Sequence, residues 1–148
     1  MKVLGLLQNA WFKPDTPREV AMAYARDDDV RRRILARSKT GNKLIRLMGQ
    51  DVFNHIVWNN TTAEWASEAR GRRAIDMEHV VAVIDQVWPD VIIAFGNQAR
   101  DAVVATSYAG DVILCKHPNA RFTADEEFHK SLDPIVGKIR QWILTRRE

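Results

Sequence analysis

The feature that most constrains the fold is the run Val91-Ile92-Ile93-Ala94-Phe95, five consecutive apolar residues that end at Gly96. A strand that is apolar at every position has both faces covered, as happens when helices pack on each side of a parallel sheet. Three other short runs, residues 2–8, 52–58 and 112–115, are also predicted to be strands. The chain is therefore expected to be an α/β three-layer sandwich with a small, mostly parallel, four-stranded sheet between helices.

Segments with helical spacing of apolar residues separate these runs. One helix is expected to begin near Asp15-Thr16-Pro17 and to reach about residue 24. Two helical stretches are predicted on either side of a break at residues 39–42, and their basic side chains are expected to face solvent. Further helices are predicted over residues 77–88, which Pro89 ends, and 97–105, which Asn97 caps. The last helix, with acids 125–127 in a first turn, is expected to be entered near Asp133-Pro134.

Length and composition fit one ordinary globular domain over residues 1–148, with 46% hydrophobic and 28% charged residues. The single cysteine, Cys115, excludes an internal disulfide framework and a cysteine-based zinc site, and its apolar neighbours predict a buried, inert thiol. No apolar segment approaches the ~20 residues needed to span a bilayer. We therefore expect a cytoplasmic protein that does not bind membranes and is a monomer.

Charge is distributed unevenly along the chain. The whole chain has a net charge of +3, but the segment between residues 30 and 50 carries seven basic residues and no acid. This segment of charge +7 leaves −4 for the remainder, an asymmetry typical of proteins that bind a polyanion such as nucleic acid. A solvated helix face is the alternative interpretation. The seven residues are Arg31, Arg32, Arg33, Arg37, Lys39, Lys43 and Arg46.

Active sites of parallel α/β sheets lie outside the carboxyl ends of the strands. The residues expected there are amides, one imidazole and aromatic rings, with almost no carboxylate. Amides that donate and accept hydrogen bonds suit the edge of a nucleobase, and an aromatic ring suits its face. The candidates are Gln8, Asn9, Trp11, Phe12, Asn59, Asn60, Asn97, His117, Asn119 and Arg121.

In their order along the chain, these strand ends resemble the uracil-DNA glycosylase superfamily across nearly all 148 residues. Leu7-Gln8-Asn9-Ala10-Trp11 is similar to the first-strand motif that positions the attacking water, and Asn59 or Asn60 to the asparagine that binds the base. Ala94-Phe95-Gly96-Asn97-Gln98-Ala99 resembles the small-residue turn, and His117-Pro118-Asn119 the loop that reaches the leaving base and the minor groove. Residues 35–44 resemble the basic Gly/Ser loop and helix of the branches with shorter chains.

The resemblance combines two branches of the superfamily. Asn9 and Ala10-Trp11 stand where the best-known branch has aspartate and Pro-Tyr. Asparagine at this position is similar to the mismatch-directed uracil and thymine glycosylases, which orient water without a general base and usually lack the histidine of the fourth-strand loop. The chain thus resembles a compact, divergent member that mixes features of the mismatch-specific and His-Pro-loop branches. Serine is usual in that loop near the position of Asn119, whose amide can still donate to a phosphate.

The resemblance implies a monofunctional DNA glycosylase, a hydrolase of base excision and DNA repair, for a uracil-like, deaminated or modified base flipped out of DNA. Asn9 and Gln8 would position water, and His117 would donate to the leaving base. Trp11 or Phe12 would stack on the base and Asn59, less directly Asn60, would read its edge. No metal or organic cofactor is implied. The DNA contacts would come from Arg32, Arg37, Ser38, Lys39, Lys43, Asn119 and Arg121.

Each assignment has a structural alternative. His117 can be a loop histidine, Asn9 and Asn59 can be turn or helix-cap residues, and Trp11 and Phe12 can be core aromatics. Arg121 can pair with the acidic turn at 125–127 instead of contacting DNA. His55, inside the predicted strand 52–58, and His79 and His129, on helices, are assigned no chemistry. Two functional alternatives stay open: a non-catalytic protein that binds DNA or a modified nucleotide, and a nucleobase-modifying enzyme that does not cut DNA.

Overall fold

Four parallel strands form the central sheet of the computed structural model, which describes residues 1–8, 15–62, 75–119 and 123–146. The order across the sheet is β2-β1-β3-β4, so β1 and β3 are central while β2 and β4 form the edges. All three neighbouring pairs are parallel, and the predicted α/β class with a small four-stranded sheet is confirmed. The strands are β1 (Val3–Leu7), β2 (Val57–Asn60), β3 (Val91–Phe95) and β4 (Asp111–Cys115).

Seven helices accompany the sheet in the described part of the chain, and none of them is long and apolar enough to cross a membrane. They are α1 (Arg18–Arg26), α2 (Asp28–Arg37), α3 (Lys39–Met48), α4 (Gln50–His55), α5 (Met77–Val87), α6 (Asn97–Val104) and α7 (Asp125–Arg146).

Alternate residues of the two central strands supply two separate cores, one on each face of the sheet. Val3, Leu7, Ile93 and Phe95 pack against α2, α3, α4 and α7, together with Trp58 of β2. The other face packs against α5 and α6. Both central strands are buried at every position, as the continuous apolar run in β3 predicted, and the helices on each side create three layers.

The second strand begins later than the sequence predicted. Residues 50–55 form helix α4, and β2 occupies only Val57–Asn60, so the prediction of a strand over 52–58 is wrong for its first half. Val52, Phe53 and Ile56 are all buried, at a spacing that also fits a helix. His55, predicted to lie inside a strand, is instead the last residue of α4, where its Nε2 lies 2.9 Å from the carbonyl of Met1.

The break within the basic segment is a single residue. Ser38 separates α2 from α3, whereas the predicted break at residues 39–42 lies inside the first turn of α3. The Ser38 hydroxyl accepts a hydrogen bond from the Gly41 N–H at 3.0 Å, which caps α3 and satisfies one of its free amide groups. The segment is therefore two capped helices joined at a sharp turn.

Helix α7 begins at Asp125, earlier than Asp133-Pro134, where we expected the last helix to be entered. Phe128, Leu132, Ile135 and Ile139 are buried at helical spacing on both sides of Pro134. Their burial offsets the hydrogen bond that a proline removes from a helix interior. The acids at 125–127 occupy the first turn, as predicted, where they interact favourably with the helix dipole.

Candidate functional site

Only part of the predicted site lies within the described residues. Asn9, Trp11, Phe12 and Arg121 fall outside them. The remaining candidates follow the carboxyl ends of the strands or occupy α2 and α3. The described part of the candidate site is therefore built from Gln8, Asn59, Asn60, His117 and Asn119, with the basic helices beside it.

His117 is held at the end of β4 by the turn at Gly96. Gly96 ends β3 with φ 91°, and its N–H donates to the Cys115 carbonyl at 2.7 Å. A Cβ added to Gly96 would lie 3.3 Å from Cβ of His117, so the two residues are in close contact. The following Pro118 is buried. The histidine is thus placed between a glycine of positive φ, which it closely approaches, and a buried proline that follows it in the chain.

One hydrogen bond fixes the tautomer of the His117 ring. The backbone N–H of Asn119 donates to Nδ1 of His117 at 3.1 Å, so Nδ1 carries no proton in this arrangement. The proton of the neutral ring must then be on Nε2. Burial lowers the pKa of His117 below its usual value, and the charge of Lys43 lowers it further. At neutral pH the ring is therefore uncharged and its Nε2–H is a hydrogen-bond donor.

The loop that carries His117 is bound to helix α3. Asn119 Nδ2 donates to the Thr40 hydroxyl at 2.7 Å, across 79 residues of sequence. Lys43, one turn further along α3, lies over the ring of Phe128 with its Nζ 4.7 Å from the ring centroid. The basic helix, the His-Pro loop and the start of α7 thus meet at one place on the molecule.

A cleft of about 610 Å³ opens beside His117. Its volume is in the range of small-molecule sites in proteins. It lies between the start of α6, the end of β4 and the first turns of α7. Leu114, one of its lining residues, is exposed although it belongs to a strand. The lining includes Gly96, Asn97, Leu114, His117, Glu127 and Ser131.

Asn60 is a structural residue of the sheet edge. Its buried amide accepts a hydrogen bond from the Tyr24 hydroxyl at 2.7 Å and donates one through Nδ2 to the Gln8 carbonyl. Burial raises the pKa of Tyr24 to about 12, so the hydroxyl remains a donor across the physiological range. This network joins α1, β2 and the residue that follows β1. Asn60, which was predicted as a second residue that could bind the base, therefore uses its side chain in a buried structural network.

Asn59 occupies the opposite face of β2 from Asn60, because successive strand residues alternate. It is half-buried, and its Oδ1 accepts from the Asn60 N–H at 2.8 Å. The same oxygen lies 3.1 Å from Nε2 of His79, in the first turn of α5. His79 was assigned no chemistry from sequence. Asp76 caps α5 and donates its own N–H to the Thr61 carbonyl, which places this first turn at the carboxyl edge of the sheet.

The basic surface is smaller than the sequence suggested. Arg31 was predicted to face solvent, but it is only 3% exposed, so this prediction is wrong. Its guanidinium donates to the carbonyls of Tyr24, Ala25 and Trp58 and to Asp28. The three carbonyls lie on α1 and β2, and Asp28 is the first residue of α2, so Arg31 joins elements of the fold and is removed from any DNA-binding surface.

Two more of the seven cations are neutralised by acids that lie outside the segment. Arg32 pairs with Asp29 at 3.2 Å, and Arg46 pairs with Asp125. Arg33, Arg37 and Lys39 are exposed, and no carboxylate in the described ranges pairs with them. We call these three exposed residues, which pair with no carboxylate in those ranges, the free basic surface.

The structure brings some predicted residues together and leaves others apart. Asn119 contacts α3, the helix that carries Lys39 and Lys43, and the charge of Lys43 acts on His117. Asn59 is on the other edge strand, three strand spacings from β4, or roughly 14 Å. Neither Asn59 nor Gln8 lines the cleft beside His117. The described residues contain no group of three or more acids, histidines or cysteines that could hold a metal ion.

The chain was compared with protein-family models, with curated proteins and with solved structures, and nothing matches in any of the three comparisons.

Proposed function

We propose that this protein is a DNA glycosylase with a uracil-DNA-glycosylase-like fold, which hydrolyses the N-glycosidic bond of a uracil-like, deaminated or otherwise modified base flipped out of DNA. The observation that carries the proposal is the state of His117. It is a neutral imidazole whose Nδ1 is occupied by the Asn119 N–H, so its Nε2–H is a donor at the carboxyl edge of a parallel sheet.

A neutral donor suits the chemistry of base release. As the glycosidic bond breaks, positive charge develops on the sugar and negative charge on the departing base. A hydrogen bond from Nε2 of His117 to that base is stronger in the transition state than in the ground state, and such a donor contributes roughly 3 kcal/mol. An imidazole that is already uncharged needs no proton acceptor and no metal to perform this task.

The other residues would bind and orient the substrate. Asn59 would donate to the edge of the base, while Asn60 would hold the end of β2 in place through Tyr24 and Gln8. Asn9 and Gln8 are proposed to position the attacking water, and Trp11 or Phe12 to stack on the base. Arg37 and Lys39 of the free basic surface and Lys43 on α3 would hold the phosphates, since α3 is in direct contact with the His-Pro loop.

The test is cleavage of synthetic duplexes that carry uracil, hydroxymethyluracil, hypoxanthine, ethenocytosine, or T or U opposite G, with alkali to reveal abasic sites. His117→Ala is expected to lower single-turnover cleavage about 100-fold and to change DNA affinity by less than threefold. His129→Ala is the matched control, because this exposed histidine of α7 pairs with Asp133 and contacts neither the cleft nor α3. Cleavage that survives His117→Ala unchanged would overturn the role given to the imidazole.

A non-catalytic protein that binds DNA or a modified nucleotide is the second candidate. The residues that directly follow the four strands in the described part of the chain, Gln8, Thr61, Gly96 and Lys116, include no carboxylate that could activate water. Tight binding of any of these duplexes without cleavage of any of them would favour this second function over the first.

A further inference from the structure

The amide of Asn59 has only one possible orientation. Its oxygen accepts a hydrogen bond from the backbone N–H of Asn60 at 2.8 Å, and a backbone N–H can only donate. Rotating the amide by 180° would place the Nδ2 hydrogens against that N–H. The atom that faces Asn60 is therefore the carbonyl oxygen, and this assignment follows from the chemistry of the partner.

The same oxygen determines how His79 is protonated. Nε2 of His79 lies 3.1 Å from Oδ1 of Asn59, and an amide oxygen cannot donate, so Nε2 must carry a proton. Burial lowers the pKa of His79 below its usual value, which favours the neutral ring with its single proton on Nε2. Both acceptor positions of the Asn59 oxygen are then filled, one by the backbone and one by the imidazole.

His79 is itself fixed by the start of α5. Its N–H donates to the side chain of Asp76 at 3.1 Å, and the Asp76 N–H donates to the Thr61 carbonyl at 3.0 Å. The imidazole therefore comes from a helix turn that is bonded directly to the end of β2. A ring held in this way restricts rotation of the Asn59 amide.

What remains of the Asn59 side chain is its NH₂ group. No acceptor in residues 1–8, 15–62, 75–119 or 123–146 is bonded to Nδ2, and the residue is half-buried at the carboxyl edge of the sheet. A free asparagine amide can present either its oxygen or its nitrogen to a ligand. The Asn59 amide can offer only a donor.

We infer that His79 is a positioning residue that fixes Asn59 as a hydrogen-bond donor, so that the site selects bases with a carbonyl oxygen at the recognised edge over bases with an amino group there. The inference rests on the proposed function, because Asn59 must face the flipped base. It adds His79 of α5 as a specificity determinant, although no residue of this helix was predicted to belong to the site. An amino group opposite Nδ2 would leave two donors facing each other, and an unpaired polar contact of this kind is strongly rejected.

The experiment compares two non-cleavable duplexes that differ in one base, 2′-fluoroarabino-uridine or 2′-fluoroarabino-cytidine, each opposite an abasic site so that neither base is paired, with an unmodified duplex as reference. The wild-type protein is expected to bind the uracil probe at least tenfold more tightly than the cytosine probe. His79→Leu removes the donor, frees the Asn59 amide to rotate, and is expected to bring this ratio within threefold of one. His79→Gln keeps a donor NH₂ group and is expected to restore most of the preference.

His55→Leu is the matched control. His55 is also half-buried, and its Nε2 contacts the carbonyl of Met1, on the amino side of the sheet before β1 begins. It should leave the uracil-to-cytosine ratio unchanged. An unchanged ratio in a folded His79→Leu variant would overturn the inference while leaving the proposed function standing. Binding of neither probe more tightly than the unmodified duplex would instead count against the proposed function itself.

A measurement on the wild-type protein covers the case in which His79→Leu does not fold. The ¹⁵N chemical shifts of the His79 ring distinguish the two neutral tautomers. A protonated Nε2 is expected, and a neutral ring with its proton on Nδ1 would overturn the inference without any substitution.

Discussion

Arg31 and Arg33 are two residues apart on α2, yet their guanidinium groups are in opposite environments. Arg31 is buried and donates to three backbone carbonyls, whereas Arg33 is exposed and pairs with no carboxylate in the described ranges. Both were predicted to be surface cations, because a helical pattern identifies a face but not a neighbouring helix that folds over it. Arg31 is covered by α1 and β2, which are distant in the chain from one another and cannot be inferred from the spacing of α2.

The two arginines should therefore respond differently to the same substitution. Arg31→Met removes the donors of three carbonyls and one partner of an ion pair, and we expect it to lower the free energy of unfolding by about 3 kcal/mol. Arg33→Met should change it by less than about 0.5 kcal/mol. Urea unfolding followed by circular dichroism measures both. Equal effects of the two substitutions would contradict the structural role given to Arg31.

His117 provides a pH prediction at the same scale. The proposed role requires the neutral ring, and burial and Lys43 lower the pKa of His117 below its usual value of 6.5. Protonation would also place a hydrogen on Nδ1, against the Asn119 N–H. The single-turnover rate should therefore be level from pH 8 down to about pH 6.5, and should fall only in more acidic solution, below the lowered pKa.

Replacing Lys43 by methionine checks the cause of this lowered pKa. Without the neighbouring charge, the pKa of His117 should rise, and the acidic limb of the rate profile should move to higher pH. Arg26→Met, which removes an equal charge from an exposed position on α1, is the control and should leave the profile in place. If Lys43→Met leaves the rate profile unchanged, titration of His117 is not the cause of the pH dependence.

At the scale of elements, the turn between α2 and α3 depends on a close backbone contact. A Cβ added to Gly41 would overlap the carbonyl oxygen of Leu35, so α3 can approach the end of α2 only with glycine at this position. Ser38 caps α3 at the same turn, and Thr40 binds the His-Pro loop. The geometry of this one turn therefore affects both the stability of the fold and the position of His117.

Two glycine substitutions test this contact with opposite expected signs. Gly41→Ala should lower the free energy of unfolding by about 2 kcal/mol, because the helices must move apart to admit the methyl group. Gly137→Ala, on the exposed side of α7, has nothing within 4 Å of the added atom and should raise it by about 0.5–1 kcal/mol. Thermal and urea unfolding measure the free energy of unfolding of both variants. Stabilisation by Gly41→Ala would show that α2 and α3 do not meet as described.

Two segments, residues 91–95 and 52–58, differ in how well their structure could be predicted from the sequence. A run such as Val91–Phe95 is too short for a helix that buries all its sides, so β3 was predictable. The segment at residues 52–58 is interrupted by Asn54 and His55, and it divides into α4 and β2, because Val52, Phe53 and Ile56 also fit the helical period. This error of a few residues matters little for the fold. The exact position of β2 matters at the site, because the alternation of side chains along the strand directs Asn59 to His79 and Asn60 to Tyr24.

For the whole molecule, the relevant electrostatic quantity is the charge left after internal pairing. Of the seven basic residues between positions 30 and 50, Arg31, Arg32 and Arg46 already bind acids, and Lys43 lies on the ring of Phe128. The free basic surface, Arg33, Arg37 and Lys39, retains three full charges along α2 and at the start of α3, the helix that contacts the His-Pro loop. The sequence predicted the sign and the position of this surface but overestimated its charge, because the pairing acids lie outside the segment.

The salt dependence of DNA binding measures that remaining charge. Each phosphate contact contributes about 0.9 to the slope of log K against log salt concentration, so replacing all three residues of the free basic surface by glutamine should reduce the slope by roughly 2–3. The matched control replaces Arg26, Lys130 and Lys138, three exposed cations on α1 and α7, and changes the net charge by the same amount. Its slope should stay within about 0.5 of the wild-type value, since counterion release depends on contacts and not on net charge. Equal reductions in the two triple variants would mean that DNA responds only to the overall charge of the molecule, and the free basic surface would lose its role as the phosphate-binding face.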